Sequence, residues 1–179
     1  MCRFFSIIGT VFSFVTRDVQ NKLAILQHHL ESDVGDHYKT VEKMIEYEVA
    51  NGVTASSADA SGQESGSRTL LKLHRALEFL ILLFSEMAQS SADGTESFSA
   101  LVARAYNATL ANHHPWYVRS AVAVAVYAVP SRSSLVQRLD HEGSEERIID
   151  QLNAAVLAMQ PVYDRVQTLY AENDLLQLP

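Results

Sequence analysis

Asp18 and Lys22 are the first residues of this chain whose chemistry does not match their setting. Phe4, Ile8, Val11, Val15 and Leu26 recur at helical spacing along one stripe, and the two stripe positions between Val15 and Leu26 hold an acid and a base. An unpaired charge facing a core costs several kcal/mol, so both must find partners. One answer is an ordinary i,i+4 ion pair, worth about 0.3–0.5 kcal/mol. The other is a bound polar group. A second set lies further on, where Arg68, Lys72, Arg75 and Phe79 fall at i, i+4, i+7 and i+11, opposite an apolar face of Leu70, Leu73, Leu77, Leu80, Ile81 and Phe84. Like charges on one helix stripe repel by a few tenths of a kcal/mol per pair. A solvated face tolerates that cost, and an anion turns it into a gain. Arginine offers phosphate a planar fork, and lysine a compact point charge.

The third set is His113-His114-Pro115-Trp116. Proline suits a helix entry, which places the two histidines just before the helix. A metal reading of His113/His114, or of His28/His29, is weak, because adjacent helical side chains diverge by about 100° and neither HExxH nor a cysteine cluster is present. Solvated histidines are the simpler expectation. No GxSxG, P-loop, GxGxxG or CxxC motif occurs, and Glu145/Glu146 sit in a polar stretch. Neither an enzyme, nor a metal, nor a cofactor is expected.

The elements that must carry these residues are helices. Apolar patterns of helical period run over Phe4–Leu30, Tyr38–Ala50, Arg68–Ala88, Phe98–Asn112, Pro115–Val129 and Glu145–Tyr170. Linkers separate them at Thr54–Ser67, rich in Ser, Ala and Gly, and at Gln89–Thr95, Pro130–Ser134 and Asp140–Ser144. Ala121–Val129 reads AVAVAVYAV and alternates like a strand. With no partner strand elsewhere, its backbone hydrogen bonds have nowhere to go, so it is assigned helix. The expected fold class is all-α.

Length and composition set the outer limits. A chain of 179 residues suits a single domain spanning residues 1–179. Hydrophobic residues at 47% supply a core, and the formal charge of −7 argues against general nucleic-acid binding. One cysteine, Cys2, rules out an internal disulfide and fits a reducing compartment. The longest apolar runs, Leu77–Phe84 and Ala121–Val129, fall far short of the ~20 residues of a membrane-spanning helix. Met1-Cys2-Arg3 followed by FFSIIGTVFSFV has the look of a secretory leader, but no small-residue cleavage site follows and TRDVQNK continues the helical period.

GTVFSFVTRDVQNKL, GSRTLLKLHRALEFL, AYNATLANHHPWYVR and the terminal LYAENDLLQLP, in that order from about Arg3 to Pro179, resemble the glycolipid transfer protein superfamily, and within it the branch that carries ceramide-1-phosphate. The resemblance implies a two-layer helical sandwich, the polar head of one sphingolipid at the surface and its hydrocarbon chains in an apolar pocket between the layers, with no bond chemistry. It implies that Asp18 accepts from the ceramide amide and hydroxyl, and that Lys22, Arg68 and Lys72 hold the phosphate. It gives His114 the acyl carbonyl and Trp116 the membrane surface. Phe4, Phe12, Val15, Phe79, Val118 and Val122 become lipid-tail candidates, each equally well placed for ordinary core packing.

In relatives that carry glycolipids a tryptophan stands where this chain has Lys72, so a phosphorylated head is favoured over a sugar. The branch itself usually has arginine there. A neutral glycosphingolipid carrier, and a sensor or scaffold that binds without transfer, are the alternatives. The resemblance also implies a further helix ahead of the position of Met1, so the domain is expected to be N-terminally shortened and a weaker carrier than a form with that helix. A monomer in the cytosol is expected, with transient contact to anionic membranes and, by resemblance, visits to the trans-Golgi, endosome, plasma membrane and nucleus.

Overall fold

The structure is a computed structural model that describes residues 13–58, 62–90, 97–131, 134 and 145–179. Among these residues it is helical, with α1 Ser13–Glu31, α2 Val41–Ala50, α3 Gly66–Gln89, α4 Phe98–Ala108, α5 Trp116–Val126 and α6 Glu145–Glu172. Short 3-10 turns at Gly35–Tyr38 and Leu110–His113 precede α2 and α5. The expected linker at Asp140–Ser144, most of that at Gln89–Thr95, and the tail candidates Phe4 and Phe12 lie outside the described residues.

Each helix end has a chemical cause. Thr40 is extended and its side chain accepts from Lys43 N–H, which starts α2. The same helix stops where the Asn51 side chain donates to the Tyr47 carbonyl (2.8 Å) and Gly52 takes a left-handed φ of 65°. Ser97 starts α4 by accepting from Ala100 N–H at 3.2 Å. The pattern predicts one helix over Phe98–Asn112, but α4 ends at Ala108. Thr109 donates its hydroxyl to the Ala105 carbonyl (2.7 Å) and leaves helical geometry, and the chain continues as a 3-10 turn. Helix α5 likewise ends at Val126 rather than Val129, its last residues closing i→i−3 turns. Pro130 follows, and a residue before proline disfavours the helical region. Pro161 lies inside α6, which runs through it.

Two compact units are distinguished. One takes the described residues up to Thr16 and Ala76–Pro161, the other Arg17–Arg75 and Val162–Pro179. The core of the first joins Phe79, Leu80, Leu83 and Met87 of α3 to Leu101, Val102, Ala105 and Tyr106 of α4. The core of the second joins Met44 and Ile45 to Leu71, Val166, Leu169, Tyr170 and Leu175. In that second unit, His74 donates from Nε2 to Gln167 Oε1 (2.7 Å) and stacks on Tyr163.

Two local details of the second unit fix the start of α3. Glu48 is fully buried on α2, and its carboxylate accepts from Gly66 N–H (2.7 Å), Ser67 N–H (3.0 Å) and Tyr38 O–H (2.9 Å). A carboxylate at a helix N-terminus satisfies donors that the helix itself cannot. Tyr170 O–H donates to the Ser67 carbonyl at 2.8 Å. Burial, the neighbouring Glu48 charge and that hydrogen bond act on this phenol, and the net effect holds its pKa far above the ordinary value. The start of α3 is therefore gripped from α2 and from α6.

Candidate functional site

Arg68 and Lys72 are one turn apart on α3, the helix whose first turn Glu48 holds. Their stripe is not the solvated face that a charge run usually marks. Arg68, Lys72 and Arg75 are all half-buried, and Phe79 is buried. Residues from every side of the first turns are enclosed, including Ser67, Thr69, Leu71 and His74. Cations in such a place need acceptors. Lys72 Nζ lies 2.6 Å from a Glu64 carboxylate oxygen, and Arg68 Nε lies 3.7 Å from the same oxygen. Thr69 donates its hydroxyl to the other Glu64 oxygen at 3.1 Å. Arg68 also donates to the carbonyls of Pro179 (3.1 Å) and Ala55 (3.4 Å). Arg75 donates to the carbonyls of Leu176 (3.0 Å) and Leu178 (3.2 Å) and so ties the C-terminal segment to α3.

Burial pushes the Glu64 carboxyl up. The hydrogen bond and charge of Lys72, the Thr69 hydroxyl and the Arg68 charge outweigh it, so its pKa lies below the ordinary value. Arg68 and Lys72 thus form an anion-holding pair in contact with a carboxylate.

Asp18 and Lys22 pair with each other on α1 at 2.5 Å. The lysine side chain is 15% exposed but the aspartate side chain is 62% exposed. The expectation that both face the core therefore holds for Lys22 and fails for Asp18. The long stem of lysine can be buried while its ammonium reaches a partner, whereas a short carboxylate keeps its hydration by staying at the surface. Lys22 and His29 are seven residues apart, two turns on one face of α1. His29 is buried rather than solvated, donates from Nε2 to the Glu64 carbonyl (2.8 Å) and stacks on Tyr38. Asp18, Lys22, Arg68 and Lys72 all belong to the second compact unit, where Asp18 and Lys22 pair with each other on α1 and Arg68 and Lys72 of α3 share Glu64.

His114 belongs to the first unit, where it is half-buried and closes the 3-10 turn before α5. Its Nδ1 is 2.9 Å from the Tyr106 hydroxyl. Burial raises the Tyr106 pKa against the lowering effect of Arg119, which keeps the phenol protonated. The phenol and Nδ1 therefore share one hydrogen bond, which fixes the orientation of the imidazole. Trp116 is 76% exposed and packs edge-on against Tyr117, which is also exposed. Val124 and Tyr127 continue this exposed apolar surface, which the sequence reading did not single out. Of the tail candidates, Phe79 is in the core of the first unit, Val15 and Val122 pack against it, and Val118 is half-buried.

Glu48 and Glu64 are the residues that sequence reasoning missed. Among the described residues no cluster of three His, Cys, Asp or Glu side chains is placed to hold a metal, and no helix is long and apolar enough to cross a membrane.

The described helices thus set a half-buried cation pair beside a carboxylate. The family model described as Glycolipid transfer protein (GLTP) matches residues 1–141, and the chain belongs to that family. The ceramide-1-phosphate transfer protein of Mus musculus is 41% identical over 181 residues, covering 100% of this chain and 82% of the relative. That of Danio rerio is 38% identical over 176 residues, covering 98% of this chain and 82% of the relative. The crystal structure of the human ceramide-1-phosphate transfer protein in complex with 12:0 ceramide-1-phosphate superposes with a TM-score of 0.88 at 38% identity, covering 99% of this chain and 84% of that one. The all-helical fold expected from the sequence is the fold shared with that structure.

Proposed function

We propose that the chain binds ceramide-1-phosphate and carries it between membranes without making or breaking a covalent bond. The observation that carries this reading is the pair Arg68 and Lys72. Two cations with side chains only 16% and 32% exposed converge on one carboxylate, so the fold presents them to an anion rather than to water. The similarity to ceramide-1-phosphate transfer proteins over nearly the whole chain supports the same head group.

In this reading Lys22, Arg68 and Lys72 neutralise the phosphate. Asp18 accepts from the ceramide amide N–H and hydroxyl, and His114 donates to the acyl carbonyl. Phe4, Phe12, Val15, Phe79, Val118 and Val122 meet the hydrocarbon chains. Trp116 inserts at the membrane surface, where an amphipathic aromatic is favoured. A net charge of −7 does not oppose docking, because a local basic patch senses an anionic surface within a Debye length. The protein acts as a monomer from the cytosol, touching membranes transiently.

Transfer of ceramide-1-phosphate between vesicles tests the assignment. Arg68→Ala is expected to abolish transfer while far-UV circular dichroism keeps its helical signal. Unchanged transfer would remove Arg68 from the phosphate site.

A further inference from the structure

Glu64 occupies the place that the proposed function gives to a phosphate. Its backbone is fixed, since His29 holds its carbonyl and the next residue, Ser65, starts α3 by accepting from Arg68 N–H (3.2 Å). Its carboxylate contacts Lys72, Thr69 and Arg68 and has no other role among the interactions described above. Rotation of this side chain frees Lys72 and removes the carboxylate from beside Arg68, whose other acceptors are the carbonyls of Pro179 and Ala55. A carboxylate and a phosphate cannot share them closely, because two anions a few ångströms apart in a partly buried site repel strongly.

We infer that Glu64 is a specificity-determining residue, an internal competitor that only a phosphomonoester head displaces well from Arg68 and Lys72. The inference rests on reading that pair as a phosphate site. A phosphomonoester carries a charge of about −1.5 to −2 at neutral pH and three acceptor oxygens. It exceeds the carboxylate in both respects. A phosphodiester, such as the head of sphingomyelin, carries about one negative charge and two free oxygens, so it gains little over the group it must replace. The tethered carboxylate also has a high effective concentration, which lowers the apparent affinity of every competitor by the fraction of time the cations are occupied. Neutral heads receive no compensation at all. Thr69 strengthens the competitor by adding a hydrogen bond that a departing Glu64 must give up.

Removal of the Glu64 charge should raise affinity for both phospholipids by the same factor, so where ceramide-1-phosphate already saturates the parent only occupancy by the weaker ligand rises. The experiment uses the full chain and measures transfer of ceramide-1-phosphate and of sphingomyelin from phosphatidylcholine vesicles, for the parent, Glu64→Gln and Glu64→Ala. Glutamine keeps the volume and an acceptor for Thr69, and circular dichroism checks helicity in each variant. The parent is expected to move ceramide-1-phosphate and little sphingomyelin. In Glu64→Gln the preference is expected to fall about tenfold, mainly through a gain in sphingomyelin transfer. An unchanged ratio in a parent and variants that do move ceramide-1-phosphate overturns the role of Glu64 and leaves the proposed function standing. A fall in ceramide-1-phosphate transfer, or lost helicity in both variants, makes Glu64 a structural group and overturns the role equally. A parent that moves no ceramide-1-phosphate overturns the proposed function and this inference together.

Discussion

Glu64 couples the site to pH, and the direction follows from its contacts. Its folded pKa lies below the ordinary 4.5, because Lys72, Thr69 and Arg68 outweigh the opposing effect of burial. A carboxyl with a depressed folded pKa contributes stability that is fully present above its unfolded pKa and is lost as pH falls through the folded value. Urea unfolding of the parent and of Glu64→Gln should therefore differ most at neutral pH, and the difference should shrink as pH drops below about 4.5. A difference that is the same at pH 7 and pH 3 would mean that Glu64 stabilises by something other than its charge. The residue-scale lesson concerns charge on an apolar stripe. Asp18 and Lys22 stand out in the sequence by that rule. The same rule applied to Val41, Met44, Ile45 and Glu48, at i, i+3, i+4 and i+7, picks out the buried carboxylate that holds the start of α3. Glu64 has no such signal, because it lies in a Ser- and Gly-rich segment without a period, and its partners are set only when that segment folds back onto α3.

Helix α3 is the element on which the site depends, and its first turn tolerates little. A Cβ at Gly66 would lie 2.6 Å from Met44 Sδ, 3.0 Å from Tyr38 Cε1 and 3.2 Å from Glu48 Oε1. Gly66→Ala is expected to cost about 1–3 kcal/mol in urea unfolding, the usual range for overpacking. It should also weaken ceramide-1-phosphate binding by moving the turn that carries Arg68. Parent-like stability and binding would show that the turn can shift without consequence. The existence and type of the described α-helices are legible from apolar periodicity, because burial of one face is what makes each helix stable, except in the second half of α5, where the Ala-Val alternation points to a strand and only the lack of a partner strand points to helix. The ends are less legible. Thr109 breaks the pattern over Phe98–Asn112 through a hydroxyl that competes for a backbone carbonyl, and apolar spacing carries no trace of it. The setting of Arg68, Lys72 and Arg75 is also hidden, since a charged stripe looks solvated until the neighbouring loop and C-terminal segment supply carbonyls and a carboxylate.

At the scale of the whole molecule, an acidic protein keeps several of its cations engaged by half-buried acceptors and exposes an apolar surface at Trp116, Tyr117, Val124 and Tyr127. Those features suit a carrier that selects an anionic lipid head and meets a membrane through amphipathic side chains. The central claim is the identity of the cargo. Intact-mass measurement of the natively purified protein, followed by lipid extraction, reports occupancy and head group in one experiment. One ceramide-1-phosphate per chain is the expected result, and the complex should be absent from Arg68→Ala. A chain carrying galactosylceramide or another neutral sphingolipid, with Arg68→Ala loaded to the same extent, would contradict it.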